Sequence, residues 1–381
     1  MSSFSLRRSI ANSGSLRLRT AVQRYANSPA RSLWTPLDHQ RRFVSLPAHT
    51  VSPSSPSTSD SMKDYSEGLS FQKYHGLGND FILIDNRNSE EPLVSAERAV
   101  AMCDRHRGIG GDGVIFLLPP GAVEVEESAT GKTGIDASMR IFNSDGSEPE
   151  MCGNGIRCLA KFMDNLTSSE EATIRSDNGN ASNNGTLENE RVYNIATLAG
   201  IIRPKMMSNG DVRVDMGAPI LEPSLVPTTL AANAQSGSSS AVVNATINTS
   251  IGDMGVTCVS MGNPHCIIFV DSLDSIPFDS LGPELESNVA LFPAKTNVEF
   301  IEVVRDDYVK MRVWERGAGP TQACGTGACA TVVAAVLEGR TKEQCTVLLP
   351  GGELHIEWDR EGSSNTVYMT GPAEIVFGGR L

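Results

Sequence analysis

One phrase occurs twice in this chain, and it limits the folds open to it. Met139–Gly155 reads MRIFNSDGSEPEMCGNG and Met311–Gly327 reads MRVWERGAGPTQACGTG, aligned without a gap at an offset of 172 residues. The Met, the Arg, the Cys and both glycines beside it recur, and Ile/Val and Phe/Trp match in kind. Each copy opens on a short apolar run of strand character, at 139–142 and 311–314, then crosses a turn rich in Gly, Ser, Asp or Pro. Each closes on Cys-Gly-x-Gly and enters a helical stretch, 156–163 in the first copy and 328–337 in the second. Two related halves, each offering one cysteine at a helix start, are therefore expected. A weaker echo, Gly78-Asn79 to Asp85 against Gly262-Asn263 to Asp271, carries the duplication beyond the hairpin.

At 381 residues the chain is long enough for two ordinary domains. No apolar run approaches the length a membrane span needs. Residues 1–62 stand apart, with eight Arg, no Lys, many Ser and two acids, Asp38 and Asp60. No apolar core follows the first basic residues, so an organelle transit peptide fits and a secretory signal does not. A disordered basic tail is the alternative. The Ser/Pro-rich 51–61 is the linker, and 1–68 as a whole is expected to be transit peptide and linker, disordered. Without residues 1–62 the body carries 24 Lys and Arg against 43 Asp and Glu, a net −19. Such a body repels nucleic acid and anionic membrane, which favours a small-molecule function. The eight cysteines show no short repeating spacing and are not a disulfide framework.

In chain order, strands are predicted at 70–74, 81–85 and 114–118, with a helix at 94–104. The first repeat follows, its helix ending near Leu166, then a strand at 172–175 and another within 192–202. The boundary between halves is placed near the Ser-Asn-Gly turn at 208–210. The second half opens with a strand at 212–216 and a low-complexity loop, 228–250, with strand character at 241–243. Strands at 298–304 and 308–314 lead to the second repeat. Its helix spans 327–338, with Gly339 as a natural stop. Strands at 353–358, 366–369 and 373–377 end the chain. The glycine-dense 108–113 is no phosphate loop, because no strand–GxGxxG–helix order surrounds it.

A cysteine just before a helix feels unpaired N–H groups and the positive end of the helix dipole. That is expected to lower its pKa from ~8.5 toward neutrality. The glycines let the backbone bend round a ligand, and the free amides can bind a carboxylate. Two such units face to face would hold a carboxylate between two helix starts, with a sulfur on each side of the carbon bearing it. One thiolate and one thiol, exchanging roles in the reverse direction, suit removal of a proton from one face and return of another to the opposite face. Helix amides would stabilise the charge that builds on the carboxylate. With no C-x₂-C and no Cys–His ligand spacing, no metal is expected, and a redox dithiol would prefer Cys-x-x-Cys. Cys103, Cys158, Cys258, Cys266, Cys329 and Cys345 are read as buried thiols or left unassigned.

Several ordered motifs resemble the diaminopimelate epimerase family. They are His75-Gly-Leu-Gly-Asn-Asp-Phe81, Gly108-Ile-Gly-Gly-Asp112, Arg140–Gly155, Ser260-Met-Gly-Asn-Pro-His-Cys266, Trp314-Glu-Arg-Gly-Ala-Gly319, Ala323–Ala330, Pro350-Gly-Gly352 and Tyr368-Met-Thr-Gly371. The resemblance implies a cofactor-independent enzyme that interconverts LL- and meso-diaminopimelate in lysine biosynthesis. It implies an α/β (α+β) fold of two pseudo-symmetric domains, each a curled, mostly antiparallel sheet around a central helix, with the site in the cleft between them. The implied domains are 69–209 and 210–365, with about 366–381 returning to the first.

By the same resemblance, Cys152 and Cys324 match the catalytic cysteines. His265 and Glu315 match the groups that polarise them, His265 near Cys152 and Glu315 near Cys324. Gly153, Asn154, Gly325 and Thr326 match the surroundings of the reacting carboxylate. Asn79, Asn143, Asn263, Asn297 and Arg316, with Glu315, match the substrate-binding set. Arg suits a carboxylate, and Asn suits both carboxylate and ammonium. Two positions depart from the family: Gly113 stands where some members carry Gln, and Pro320 where Glu is common. The implied partner is diaminopimelate alone, with no metal, nucleic acid or membrane, and a homodimer stays open. Lysine synthesis behind such a leader points to the chloroplast, with the mitochondrion as alternative. Proline/hydroxyproline racemases share the two-cysteine plan but usually carry His where Asn154 stands. From another class, a non-catalytic amino-acid binder or a thiol-redox module stays open.

Overall fold

The computed structural model describes residues 68–125, 134–177, 190–236, 239–362 and 364–381, so the leader expected over 1–68 lies outside them save Gly68. Two mixed sheets carry the described chain. The first contains β1 (Ser70–Gly76), β2 (Asn79–Asp85), β3 (Gly113–Leu118), β4 (Ala137–Asn143), β5 (Ile195–Thr197) and β6 (Gly200–Ile202). Helix α1 (Ala96–Cys103) links β2 to β3, and α2 (Gly153–Asp177) links β4 to β5. The second sheet begins with β7 (Lys205–Met206) and β8 (Val212–Asp215), and β9 (Ala234–Ser236) and β10 (Ser239–Ala241) form a separate hairpin. It continues with β11 (Ala245–Thr249), β12 (Gly252–Ser260), β13 (Pro264–Val270), β14 (Asn297–Arg305), β15 (Tyr308–Glu315) and the two-residue β16 (Gly319–Pro320). The last strands of that sheet are β17 (Gln344–Leu349), β18 (Gly352–Trp358) and β19 (Val367–Gly371). Helix α3 (Phe278–Glu286) links β13 to β14, and α4 (Gly325–Leu337) lies between β16 and β17. The final strand, β20 (Glu374–Arg380), returns to the first sheet beside β1.

The two halves repeat one pattern of pairing. β1–β2 is antiparallel, β2–β3 parallel, β3–β4 antiparallel, β4–β5 parallel and β5–β6 antiparallel. The series β12, β13, β14, β15, β17, β18 runs through the same alternation. Parallel neighbours need a crossover, and helices supply it at the same places in each half. The duplicated phrase is thus the visible part of a six-strand, two-helix unit written twice.

Alternation along the repeated strand sorts its residues into two layers. Met139 and Ile141, like Met311 and Val313, join one core cluster that also holds both central helices. On the other face Phe142 meets Phe116 edge-on, and Trp314 meets Phe278 likewise, in separate outer clusters. Arg140 and Arg312 share that outer face, Arg140 over Phe142 and Arg312 over Phe278 at 3.9 Å. Helix α4 is apolar on all sides because the second sheet wraps it, from β12 to β14 and from β17 to β19. The first sheet holds α2 against β1, β2 and β3, and the second adds β7 and β8.

Some elements differ from expectation. Helix α2 continues to Asp177, across the strand expected at 172–175, since no Gly or Pro stands between Gly155 and Asp177 to stop it. The loop expected at 228–250 contains β9, β10 and β11. The sheets change over between Ile202 and Lys205, ahead of the turn at 208–210, because that turn closes a hairpin within the second sheet. The return to the first half is shorter than 366–381, since β19 pairs with β18 and β8 and only β20 crosses back. Gly339, at φ +67°, ends α4 as expected, with Arg340 N–H donating to Ala335 O.

Candidate active site

The duplicated hairpins deliver two helix starts to the wall of one cavity of about 910 Å³. Cys152 immediately precedes α2, and Cys324 is the extended N-terminal cap of α4. The Cys152 sulfur accepts from the Gly155 amide at 3.4 Å, and the Cys324 sulfur lies 3.6 Å from Thr326 Oγ1. Small residues let the starts approach one shared side chain. A Cβ on Gly325 would sit 3.0 Å from Met369 Sδ, and one on Gly153 would sit 3.3 Å from Met369 Cε. Asn154 ties the halves together: its Nδ2 donates to Asn79 Oδ1 at 3.0 Å and to Ala323 O at 3.4 Å.

The same cavity is lined by Cys152, Gly153, Asn154, Asn79 and Asn143 from the first half. Asn263, Glu315, Arg316, Cys324, Gly325 and Thr326 line it from the second. Asn79 is set by its Nδ2 donating to Asp112 Oδ2 at 2.6 Å. Arg105 bridges Asp112 to Asp80, which also pairs with Lys73. Burial pushes the Asp80 carboxyl up, but hydrogen bonds from Arg105 and Lys73 outweigh it and hold the pKa at about 2. Glu315 accepts from Thr321 Oγ1, and Arg316 donates through its side chain to Ala294 O at 3.1 Å.

Two expected site residues stand behind this wall. Asn297 is buried and spends its side chain on the backbone, donating to Pro264 O at 2.9 Å and accepting from Arg316 N–H at 2.8 Å. It positions Arg316. His265 is fully buried, with Nδ1 2.6 Å from Glu299 Oε1 and Nε2 3.1 Å from Asn263 Oδ1. Both ring nitrogens are therefore engaged, and neither holds Cys152. Glu299 Oε2 is buried without a hydrogen-bond partner, a cost of about 1–3 kcal/mol.

Neither thiol follows the lowering expected from a helix start alone. Burial pushes Cys152 up; the Gly155 and Asn154 amides and Arg157 pull it down, and Glu315 pushes it up. Burial pushes Cys324 up further, with Glu315 and Glu299 adding to it, while Thr326 and the Gly327 amide pull it down. Desolvation by burial outweighs the amides. Glu315 thus acts on both sulfurs, not on Cys324 alone.

Arg157, Glu299 and Thr321 were not singled out from sequence. An acid at an inward position of the apolar run in β14 was the available signal for Glu299, and an Arg inside the apolar start of α2 was the signal for Arg157. The two departures have local consequences. A Cβ at Gly113 would lie 2.8 Å from Phe142 O, so a side chain there needs a shifted β4. Pro320 pairs with Trp314 in β16 and lies on the cavity wall.

The fold recurs in solved structures. A Bacillus anthracis phenazine biosynthesis protein of the PhzF family matches with a TM-score of 0.52 at 15% identity, covering 83% of this chain and 99% of that one. A probable proline racemase from Agrobacterium radiobacter matches at 0.51 and 14%, covering 82% and 92%. The chain is thus an α/β protein of this two-sheet architecture. The sequence goes further. Residues 71–222 and 257–376 match the family described as diaminopimelate epimerase. The diaminopimelate epimerase of Synechocystis sp. is 53% identical over 312 residues, 82% of this chain and 98% of that protein. That of Microcystis aeruginosa is 54% identical over 311 residues, with the same coverage. The chain belongs to the diaminopimelate epimerase family.

Proposed function

We propose that Cys152 and Cys324 are the paired acid and base that invert one α-carbon of diaminopimelate, converting the LL to the meso form without a cofactor. Family membership gives the activity, diaminopimelate epimerase in lysine biosynthesis. The assignment of residues rests on one observation: two cysteines from duplicated helix starts line a single cavity. In each turnover one sulfur, as thiolate, takes the α-proton, and the other, as thiol, returns its own proton to the opposite face. The first-turn amides of α2 and α4 hold the carboxylate whose charge grows as the proton leaves. Asn154 and Thr326 flank it. Asn79, Asn143, Asn263 and Arg316 bind the remaining polar groups of the substrate, and Glu315 faces both sulfurs. His265 and Asn297 act from behind the wall, His265 through Glu299 and Asn297 through Arg316.

The test is exchange of solvent deuterium into the α-position of diaminopimelate. Wild-type enzyme is expected to exchange, and Cys152→Ser or Cys324→Ser to lose it. Exchange of proline without diaminopimelate would overturn the substrate. The two sheets support a two-domain reading, with β20 completing the first domain. Ile375, Val376 and Phe377 are exposed on that edge strand and support a homodimer, which light scattering tests. Residues 1–68 are proposed as a plastid transit peptide. The cyanobacterial relatives support the plastid, and a fluorescent fusion of residues 1–70 tests it, with mitochondrial fluorescence as the overturning result.

A further inference from the structure

Arg157, one turn into α2, is buried completely. Its guanidinium donates to Gly153 O at 3.2 Å, to Asn154 Oδ1 at 2.9 Å and to Pro372 O at 3.3 Å, and it touches Met369 Sδ at 3.5 Å. Every one of these acceptors is neutral. Among the described residues no carboxylate forms an ion pair with it; the ionisable groups that act on it most are Cys158 on its own helix, Cys152 just before that helix, Cys329 on α4 and, more weakly, Asp211 before β8. A buried cation with no ion-pair partner is costly, and proteins keep one where a charge will meet it. The duplicated unit makes the position more telling. At the same offset of 172 residues the second copy carries Cys329 in place of Arg157. The second sulfur faces charge of the other sign in Glu299, which the first does not share, while Glu315 bears on both.

We propose that Arg157 is a positioning residue that breaks the symmetry of the site: when one of the two sulfurs is ionised, its uncompensated guanidinium puts the charge on Cys152 and leaves Cys324 as the thiol. The proposal rests on the paired-cysteine reading above. The proton count closes. The Cys152 thiolate takes the α-proton, the Cys324 thiol gives its own, and the enzyme ends with thiol at Cys152 and thiolate at Cys324. Arg157 then draws the charge back to Cys152 by proton exchange through the cavity before the next turnover in that direction. Arg157 itself touches no substrate; it acts through Cys152 and through the Gly153 and Asn154 groups that it holds.

The experiment alkylates full-length enzyme with iodoacetamide across a pH series and reads each cysteine separately by peptide mass spectrometry. Wild type is expected to modify Cys152 at lower pH than Cys324. Arg157→Lys keeps the charge and is expected to keep that order, although its kcat falls. Arg157→Gln keeps a donor but loses the charge, and is expected to raise the Cys152 inflection by about one pH unit or more. A residue that merely held the helix start would treat Lys and Gln alike. Should the Gln variant fail to fold, Glu299→Gln tests the asymmetry from the other side and is expected to lower the Cys324 inflection. Cys324 modified first in wild type, or a Gln variant with its Cys152 inflection unmoved, overturns the proposal. A chain that stays active after both cysteines are modified would instead overturn the paired-cysteine reading.

Discussion

The two halves share a plan of strands and helices but not a charge. Behind the first sulfur stands a guanidinium with neutral partners, Arg157; behind the second stands the Glu299 carboxylate, while Glu315 bears on both. Glu315 aligns with Asn143 at the repeat offset, and Cys329 with Arg157. Backbone duplication gives the two-sided geometry that a stereocentre requires. A reaction that needs one acid and one base also requires that the two sides differ, and a few substitutions at buried positions supply that difference without disturbing the strands.

The largest effect expected is loss of either sulfur. Cys152→Ser and Cys324→Ser should each lower kcat by about 10³-fold, measured as diaminopimelate epimerisation, because each removes one proton carrier. Near-normal activity in either variant would break the comparison, leaving one half without chemistry. Next come the glycines at matching places in the repeat. A Cβ on Gly327 would sit 2.7 Å from Glu299 Oε1 and 3.2 Å from Cys324 Sγ, whereas one on Gly155 meets Ile115 Cδ1 at 3.0 Å. A side-chain tip yields more easily than a fixed carboxylate. Gly327→Ala is therefore expected to lose on the order of 10²-fold in kcat, and Gly155→Ala clearly less.

Glu299→Gln sharpens the electrostatic contrast. The carboxylate raises the Cys324 pKa, so its neutralisation lowers it. Cys324 must be a thiol to give its proton, so the alkaline limb of kcat/KM should move to lower pH, with kcat at its optimum changed by about tenfold or less. An unmoved limb would remove Glu299 from the account. The smallest effect concerns stability. Burial raises Cys158, Cys258 and Cys329 to about 12 in the fold. Above the ordinary thiol value of ~8.5 the unfolded chain releases protons that the folded chain keeps, so stability falls as pH rises from about 9 to 11. Cys258→Ala should flatten that fall by up to about 1.4 kcal/mol per pH unit, read from urea midpoints at pH 8 and pH 10.

Sequence carried much of the site because its central feature is repetitive and local. Cys-Gly-x-Gly before an apolar helix is a short-range signal, and two copies of it fixed both sulfurs and the amides beside them. The polar residues on the cavity wall came from the family resemblance and reached the same cavity. What stayed hidden depends on partners far along the chain. Nothing in the neighbourhood of Arg157 says that its acceptors will be neutral, since Pro372 lies 215 residues away. Glu299 gains its meaning from His265, on a neighbouring strand that is parallel rather than part of a hairpin. His265, matched by resemblance to a place near Cys152, instead meets Glu299 and Asn263 through its ring nitrogens. Elements went unread for related causes. Helix α3 carries Pro283, β17 follows a helix with little turn chemistry to announce it, and the helical reach of α2 ran past the point where the repeat stops offering guidance.

The closing strand bears on how the molecule is made. β1 gains its outer neighbour only from residues 374–380, and β8, already paired with β7, meets the rest of its sheet only through 367–371. Both pairings join segments more than a hundred residues apart in the chain, and such distant pairings slow folding. Neither sheet can finish its ladder until these late segments have been translated, so a chain broken off before Val367 would leave both halves with an open seam.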